Sequence, residues 1–278
     1  MPSKPRLGQN FLRDAQAIQR IANALGELGG ETVVEIGPGQ GAITRALASR
    51  TAQVLAIELD PNLAAHLGNQ FSQERVTVIR ADVLGFDFTA ASKTAGRRLV
   101  VAGNLPYYIT SPILLKLAAS HAALDRAVLM VQREVADRIV AVPGTRDYGL
   151  LSVTVQMYGP VERLFTLPPS AFSPPPDVHS TVFRWRFAPR FAEFGVEEAG
   201  FLRFAQQVFA QKRKTLANNL RAAGYEPAEI QTALAAASIG AQARAEEMPL
   251  EKLAALWVSL PTEKAASAGE AADPGKDR

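Results

Sequence analysis

Apolar side chains at Ile18, Ile21, Ala22 and Leu25 recur at helical spacing, which predicts a helix over 14–28 stopped by Gly29-Gly30. Thr32–Ile36 is a short β-branched run that stops at glycine and predicts a buried strand. A helix over Ala42–Arg50, a strand over Gln53–Glu58, a helix over Asn62–Phe71 and a strand over Val76–Ile79 follow. Arg98–Ala102 reads as a fourth strand, with a helix from Pro112 to about Ser120. Ala127–Val131 reads as a fifth, running into a helix from about Arg133 to Val142. Strands alternating with helices predict an α/β, Rossmann-like parallel sheet with helices on both faces. Leu151–Tyr158 and Ser180–Phe187 read as further strands, joined by the proline-rich stretch Pro168–Pro176. From Phe201 the pattern turns helical, which places a boundary near Ala188–Gly195. The expected organisation is an α/β domain over 1–188, a small all-helical domain over 189–260 and a disordered tail over 261–278, which lacks any large apolar side chain.

Composition adds exclusions. With 278 residues, 47% hydrophobic and 21% charged, the chain is an ordinary globular protein long enough for a sizeable core. No apolar stretch approaches 18 residues and the first residues are polar, so neither a membrane span nor a signal core is expected. Cysteine is absent, which removes disulfides, thiolate nucleophiles and cysteine zinc sites and fits a cytoplasmic chain. His66, His121 and His179 are widely spaced, and no metal is expected.

The first chemical signal is Glu35-Ile36-Gly37-Pro38-Gly39-Gln40-Gly41, between a strand and a helix. Glycines there let the backbone turn sharply and approach a ligand closely. The spacing is neither that of a dinucleotide loop nor that of a triphosphate loop. Glu58 ends the second strand 21 residues after Gly37, where a carboxylate can accept from two ribose hydroxyls. Asp82 follows the third strand, where it could accept from an adenine amino group. Any one of these fits a plain strand end. Three in order, at the edge where open parallel sheets bind ligands, resemble the S-adenosylmethionine-dependent methyltransferases.

The second signal is Asn104-Leu105-Pro106-Tyr107 after the fourth strand. An adenine amine is a poor nucleophile because its lone pair is delocalised into the ring. The Asn104 side-chain oxygen and the Leu105 carbonyl could bind its two N–H groups and favour the pyramidal nitrogen that attacks a methyl group. Pro106 stiffens the backbone, and Tyr107 offers a face for stacking the base. The target must leave its stack to reach such a pocket. Phe172, in the proline-rich loop, is a candidate for the opposite face of the base or a plug in the core.

Taken in order, these segments resemble one family, the ribosomal RNA adenine N6-dimethyltransferases of the small-subunit type. The match begins at Arg6–Leu12 and runs through Glu35–Gly39, Ile57–Asp60, Ala81-Asp82 and Asn104–Tyr107. It continues through Tyr148-Gly149, Leu151-Ser152 and Pro169–Phe172 to Gln211–Leu216, so that it spans about residues 4–258. The glycine loop alone is unspecific; the ordered set is highly specific. The resemblance implies S-adenosylmethionine as cofactor, with cofactor residues at Asn10, Leu12, Gly37, Gly39, Glu58, Asp82 and Asn104, and with Gln9 and Asn10 closing over it. It implies dimethylation of two adjacent adenosines in a hairpin loop near the 3′ end of 16S rRNA, in small-subunit biogenesis. The implied partner is 16S rRNA or an immature small subunit, and a monomer is expected. Tyr108 departs from the asparagine common in the family, and Asp177 from a lysine often found after the three prolines. Two rivals stand beside this: a large-subunit rRNA adenine methyltransferase, and an assembly or transcription factor on the same scaffold.

The net charge of +3 argues against nucleic acid until its distribution is examined. Residues 201–221 carry Arg203, Lys212, Arg213, Lys214 and Arg221 with no acid, and read as one basic helix whose apolar face includes Phe201, Phe204, Val208, Leu216 and Leu220. Exposed helix faces normally mix signs, so phosphate contact is the favoured use of this one. Lys4, Arg6, Arg13 and Arg20 stand against Asp14 alone in the first 20 residues. RNA is therefore expected between an N-terminal arm, carrying Lys4 and Arg6, and the basic helix.

Overall fold

Runs rich in β-branched and aliphatic residues form the middle of a seven-stranded sheet, with one carboxyl, Glu35, inside the central strand. The computed structural model describes residues 10–261. Two units divide the chain: one takes the residues through Val140 together with Tyr158–Ala188, and the other takes Ala141–Met157 with the residues from Pro189 onward.

The first unit begins with β1 (Phe11–Leu12), α1 (Ala15–Ala24), β2 (Thr32–Ile36), α2 (Ala42–Ala48), β3 (Gln53–Glu58), α3 (Pro61–Gln70) and β4 (Val76–Arg80). It continues with α4 (Phe88–Ala95), β5 (Leu99–Asn104), α5 (Thr110–Ala119), β6 (Leu124–Gln132), α6 (Arg133–Ile139), β7 (Val161–Leu167), β8 (Phe172–Ser173) and β9 (Ser180–Arg186). The sheet order is β4-β3-β2-β5-β6-β9-β7. The first five strands are parallel, and β9 and β7 close the sheet antiparallel. Every residue of β2 is buried, as expected of a central parallel strand covered on both faces. Ile21 of α1 and Leu47 of α2 are at most 2% exposed, and burying each contributes about 1.5–3 kcal/mol. Separately, β1 pairs with β8, Leu12 opposite Phe172 and Phe11 opposite Ser173.

The second unit is all helical: α7 (Leu150–Met157), α8 (Glu198–Val208), α9 (Leu216–Ala222), α10 (Pro227–Ala236) and α11 (Leu250–Val258). Phe201 and Phe204 of α8 are fully buried, with Phe204 stacked 5.5 Å from Trp257 of α11.

Two local expectations need correction. Leu151–Tyr158 is not a strand: Leu150–Met157 forms α7, which packs on α8 within the second unit. Its Val153, Thr154, Val155 and Met157 are all buried, so tertiary packing overrides their β propensity. The strand that pairs with β9 is instead Val161–Leu167, at the sheet edge. The basic segment is not one helix. α8 ends at Val208 and α9 starts at Leu216, with Lys212, Arg213 and Lys214 in the turn between them. Thr215 caps α9 by accepting from the Asn218 N–H (3.3 Å), and the Asn219 amide donates to the Val208 (2.8 Å) and Gln211 (3.3 Å) carbonyls, holding the turn. Asp60 and Asp87 are N-caps: Asp60 accepts from Asn62 and Leu63, Asp87 from Ala90. Such a cap is worth about 1 kcal/mol. The predicted tail beyond Pro261 lies outside the described residues.

Candidate active site

The carboxyl ends of β2, β3, β4 and β5 open onto one cavity of about 690 Å³ in the first unit, a size that suits a small organic ligand. Gly37, Gly39 and Gly41 all line it with positive φ (64°, 57° and 79°). At Gly39 a side chain is excluded twice over, because its Cβ would also lie 3.0 Å from the Phe11 ring.

Glu58 ends β3 with only 6% exposure. Its Oε2 accepts from the Gly39 N–H (3.1 Å) and its Oε1 from the Asp60 N–H (2.9 Å). The carboxylate therefore braces the glycine loop and keeps a lone pair on each oxygen for a ligand hydroxyl. Asp82 lines the cavity, is exposed, and holds the turn after β4 by accepting from the Leu84 N–H (2.9 Å).

At the end of β5, Asn104 lines the same cavity. Its Nδ2 donates to the Asn10 carbonyl (3.1 Å), while its Oδ1 is buried with no partner. The Asn10 carbonyl thus fixes which end of the amide donates, leaving an oxygen as the free acceptor. Leu105 is 1% exposed and lines the cavity, its N–H taken by the Met130 carbonyl (2.9 Å). Pro106 and Tyr107 line it too, and the Tyr107 hydroxyl is 2.8 Å from Ser180 Oγ. Burial pushes the Tyr107 phenol above its ordinary range, with the Ser180 hydrogen bond acting the other way.

The structure therefore brings together Asn10, Leu12, Gly37, Gly39, Glu58, Asp82, Asn104, Leu105, Pro106 and Tyr107 on one wall. Phe172 is not among them. Its ring is 4% exposed and packs in the hydrophobic core, because pairing with Leu12 turns it inward. The stacking role expected for it is corrected to a core plug. Arg203, Arg213, Lys214 and Arg221 are exposed in the second unit, and the Lys212 ammonium donates to the Arg146 carbonyl. Gln9, Lys4 and Arg6 lie outside the described residues.

Several lining residues escaped the sequence reading. Leu59 and Val83 directly follow the two strand-end acids. The clearest is Glu35 on β2. It lines the cavity, is 1% exposed, and its Oε2 has no partner. Burial pushes its carboxyl from the ordinary 4.5 up to about 7; Thr44 acts against the rise and the Glu58 charge adds to it. A group that holds its proton longer folded than unfolded loses stability as pH climbs. Between about 4.5 and 7 the ligand-free protein should lose on the order of 3 kcal/mol on this account. Glu35→Gln should flatten that window in urea denaturation at pH 5, 6, 7 and 8. Parallel pH slopes for parent and variant would reject the assignment.

Three carboxyl groups and a free amide oxygen make an acceptor-rich cavity, which fits a cationic ligand bearing ribose hydroxyls and an amine. Among the described residues no group of three or more His, Cys, Asp or Glu is placed to hold a metal, and no helix is long and apolar enough to cross a membrane.

Residues 2–260 match the model of the ribosomal RNA adenine dimethylase family. Ribosomal RNA small subunit methyltransferase A of Acidobacterium capsulatum is 58% identical over 258 residues, covering 92% of this chain and 91% of that protein. Its namesake in Koribacter versatilis is 49% identical, covering 92% and 94%. Among solved structures, the 23S rRNA methyltransferase ErmE superposes with a TM-score of 0.69 at 28% identity, covering 90% of this chain and 99% of its own. A dimethyladenosine transferase from Plasmodium falciparum, at 20% identity and a TM-score of 0.73 with 88% and 95% coverage, shares the fold. On the match over residues 2–260 and the two bacterial relatives, the chain belongs to the ribosomal RNA adenine dimethylase family.

Proposed function

We propose that the protein transfers two methyl groups in turn to N6 of adenosines in ribosomal RNA. The observation that carries this is the Asn104 amide, which lines the cavity, is held by Asn10 and keeps a buried oxygen without a partner. When bound, S-adenosylmethionine supplies a methyl group made electrophilic by its sulfonium. Glu58 accepts from the ribose hydroxyls and Asp82 from the adenine amine, while Glu35 offers an acceptor near the glycine loop. Asn104 Oδ1 and the Leu105 carbonyl accept the two N–H groups of the target amine and localise its lone pair. Tyr107 stacks on the flipped base. No strong base is required, since the nitrogen becomes acidic on methylation and releases its proton to water.

The substrate of this reading is two adjacent adenosines in the hairpin near the 3′ end of 16S rRNA, in the cytoplasm, within an immature small subunit or the free RNA. The names of the two bacterial relatives support the small subunit. Arg203, Arg213, Lys214 and Arg221 are the proposed phosphate contacts, and Lys4 and Arg6 extend them. The likeness to ErmE keeps large-subunit RNA as the alternative. Primer extension separates the two, because dimethylated N6 blocks pairing. After incubation with protein and S-adenosylmethionine, 16S rRNA should acquire a paired stop near its 3′ end and 23S rRNA none. A stop in 23S rRNA alone would reverse the assignment.

A further inference from the structure

Tyr107 is held at both ends, and only one hold comes from its own turn. Its main chain sits where the Pro106 carbonyl accepts from the Ile109 N–H (3.2 Å) and the Thr110 hydroxyl (3.0 Å). The far end of the ring meets Ser180 Oγ at 2.8 Å. Ser180 is fully buried and is not on the cavity wall, so it does not touch what the cavity holds. It opens β9, where it stands opposite Gln132 of β6 and Leu167 of β7. A side chain on a strand paired on both sides has little freedom to follow a moving partner.

A buried serine hydroxyl is costly unless it is bonded. The next residue shows the ordinary solution: the Thr181 hydroxyl bonds Thr166 across the strands (2.9 Å), inside the sheet. Ser180 bonds outward instead, to a residue 73 positions earlier in the acceptor turn. The geometry points to Ser180 as a positioning residue that, through its bond to the Tyr107 phenol, anchors the far end of the ring on which the target adenine stacks. This role rests on Tyr107 serving as the stacking face. It gives the segment leading to β9 a function other than direct base contact, consistent with Phe172 being turned into the core.

The test is a double-mutant cycle on methyl transfer to small-subunit RNA with Ser180→Ala, Tyr107→Phe and the pair. Each single variant should lower kcat/KM for RNA about tenfold, the pair no further, with the KM for S-adenosylmethionine unchanged. RNA carrying 2-aminopurine at the target should show less stacking-induced quenching with either variant. Parental activity in Ser180→Ala, or an equal further loss when it is added to Tyr107→Phe, overturns the proposal. Tyr107→Ala separates the two layers. If it is inactive while Ser180→Ala is fully active, only the positioning role falls; if it is fully active, the stacking face falls with it. Should Ser180→Ala fail to fold, Tyr107→Phe removes the same bond from the other side, and parental activity there overturns the proposal equally.

Discussion

Asn104→Ala should cut methyl transfer by about two to three orders of magnitude while leaving S-adenosylmethionine affinity within a few-fold. Removing one preorganised polar group from a reaction centre typically costs that much in kcat. Here the oxygen is preorganised by the bond from Nδ2 to the Asn10 carbonyl and has no competing partner. Substrate amine therefore displaces nothing in order to bind it. The side chain is held already, so no ordering cost falls on the reacting state. Alanine removes the acceptor and leaves the Asn10 carbonyl without this donor, yet Glu58, Asp82 and the glycine loop keep their own contacts. Single-turnover transfer of labelled methyl gives the rate, and calorimetry the cofactor affinity. Turnover equal to the parent's would remove Asn104 from the acceptor role.

Glu58→Ala should produce the reverse pattern, a loss of cofactor affinity of at least about a hundredfold. On the proposed reading two ribose hydroxyls meet this carboxylate, and each hydrogen bond to a charged group is worth about 1.5–3 kcal/mol. A second loss adds to the first. The same oxygens hold the Gly39 and Asp60 N–H groups, so the variant also frees the loop that walls the cavity. Glu58→Gln sharpens the test. Its amide nitrogen must face one of those two backbone donors, so it should rescue little although it matches glutamate in shape. Calorimetric titration of S-adenosylmethionine reads both variants, and equal affinities for parent and Glu58→Ala would reject the ribose role.

The parts that were legible in the sequence share a physical basis. Thr32–Ile36 and Gln53–Glu58 stand as read because a buried parallel strand is built mainly from β-branched and aliphatic residues and stops at the turn that follows. Gly37, Glu58, Asp82 and Asn104 could be placed together because ligands gather at the carboxyl ends of such strands. What escaped depends on distant partners. Leu150–Met157 is too short for its periodicity to decide, and its burial against α8 selects helix. The break after Val208 is held by the side chains of Thr215 and Asn219, which compete with a continuous apolar stripe. Phe172 is turned inward by pairing with Leu12. Glu35 looked like one more strand residue, because its character comes from burial beside Glu58.

The pairing of β1 with β8 bears on the order in which the molecule becomes competent. The wall from Gly37 to Asp82 is built from neighbouring strands and short connections. The acceptor is built from remote closures, with Asn10 reaching Asn104, Phe11 meeting Ser173, and Tyr107 meeting Ser180. Contacts between distant positions form slowly, since the loops they close must be ordered first. In the chain, Asp82 precedes Ser180 by about a hundred residues. On the proposed reading, the groups that receive the target adenine are thus the last part of the first unit to be put in place.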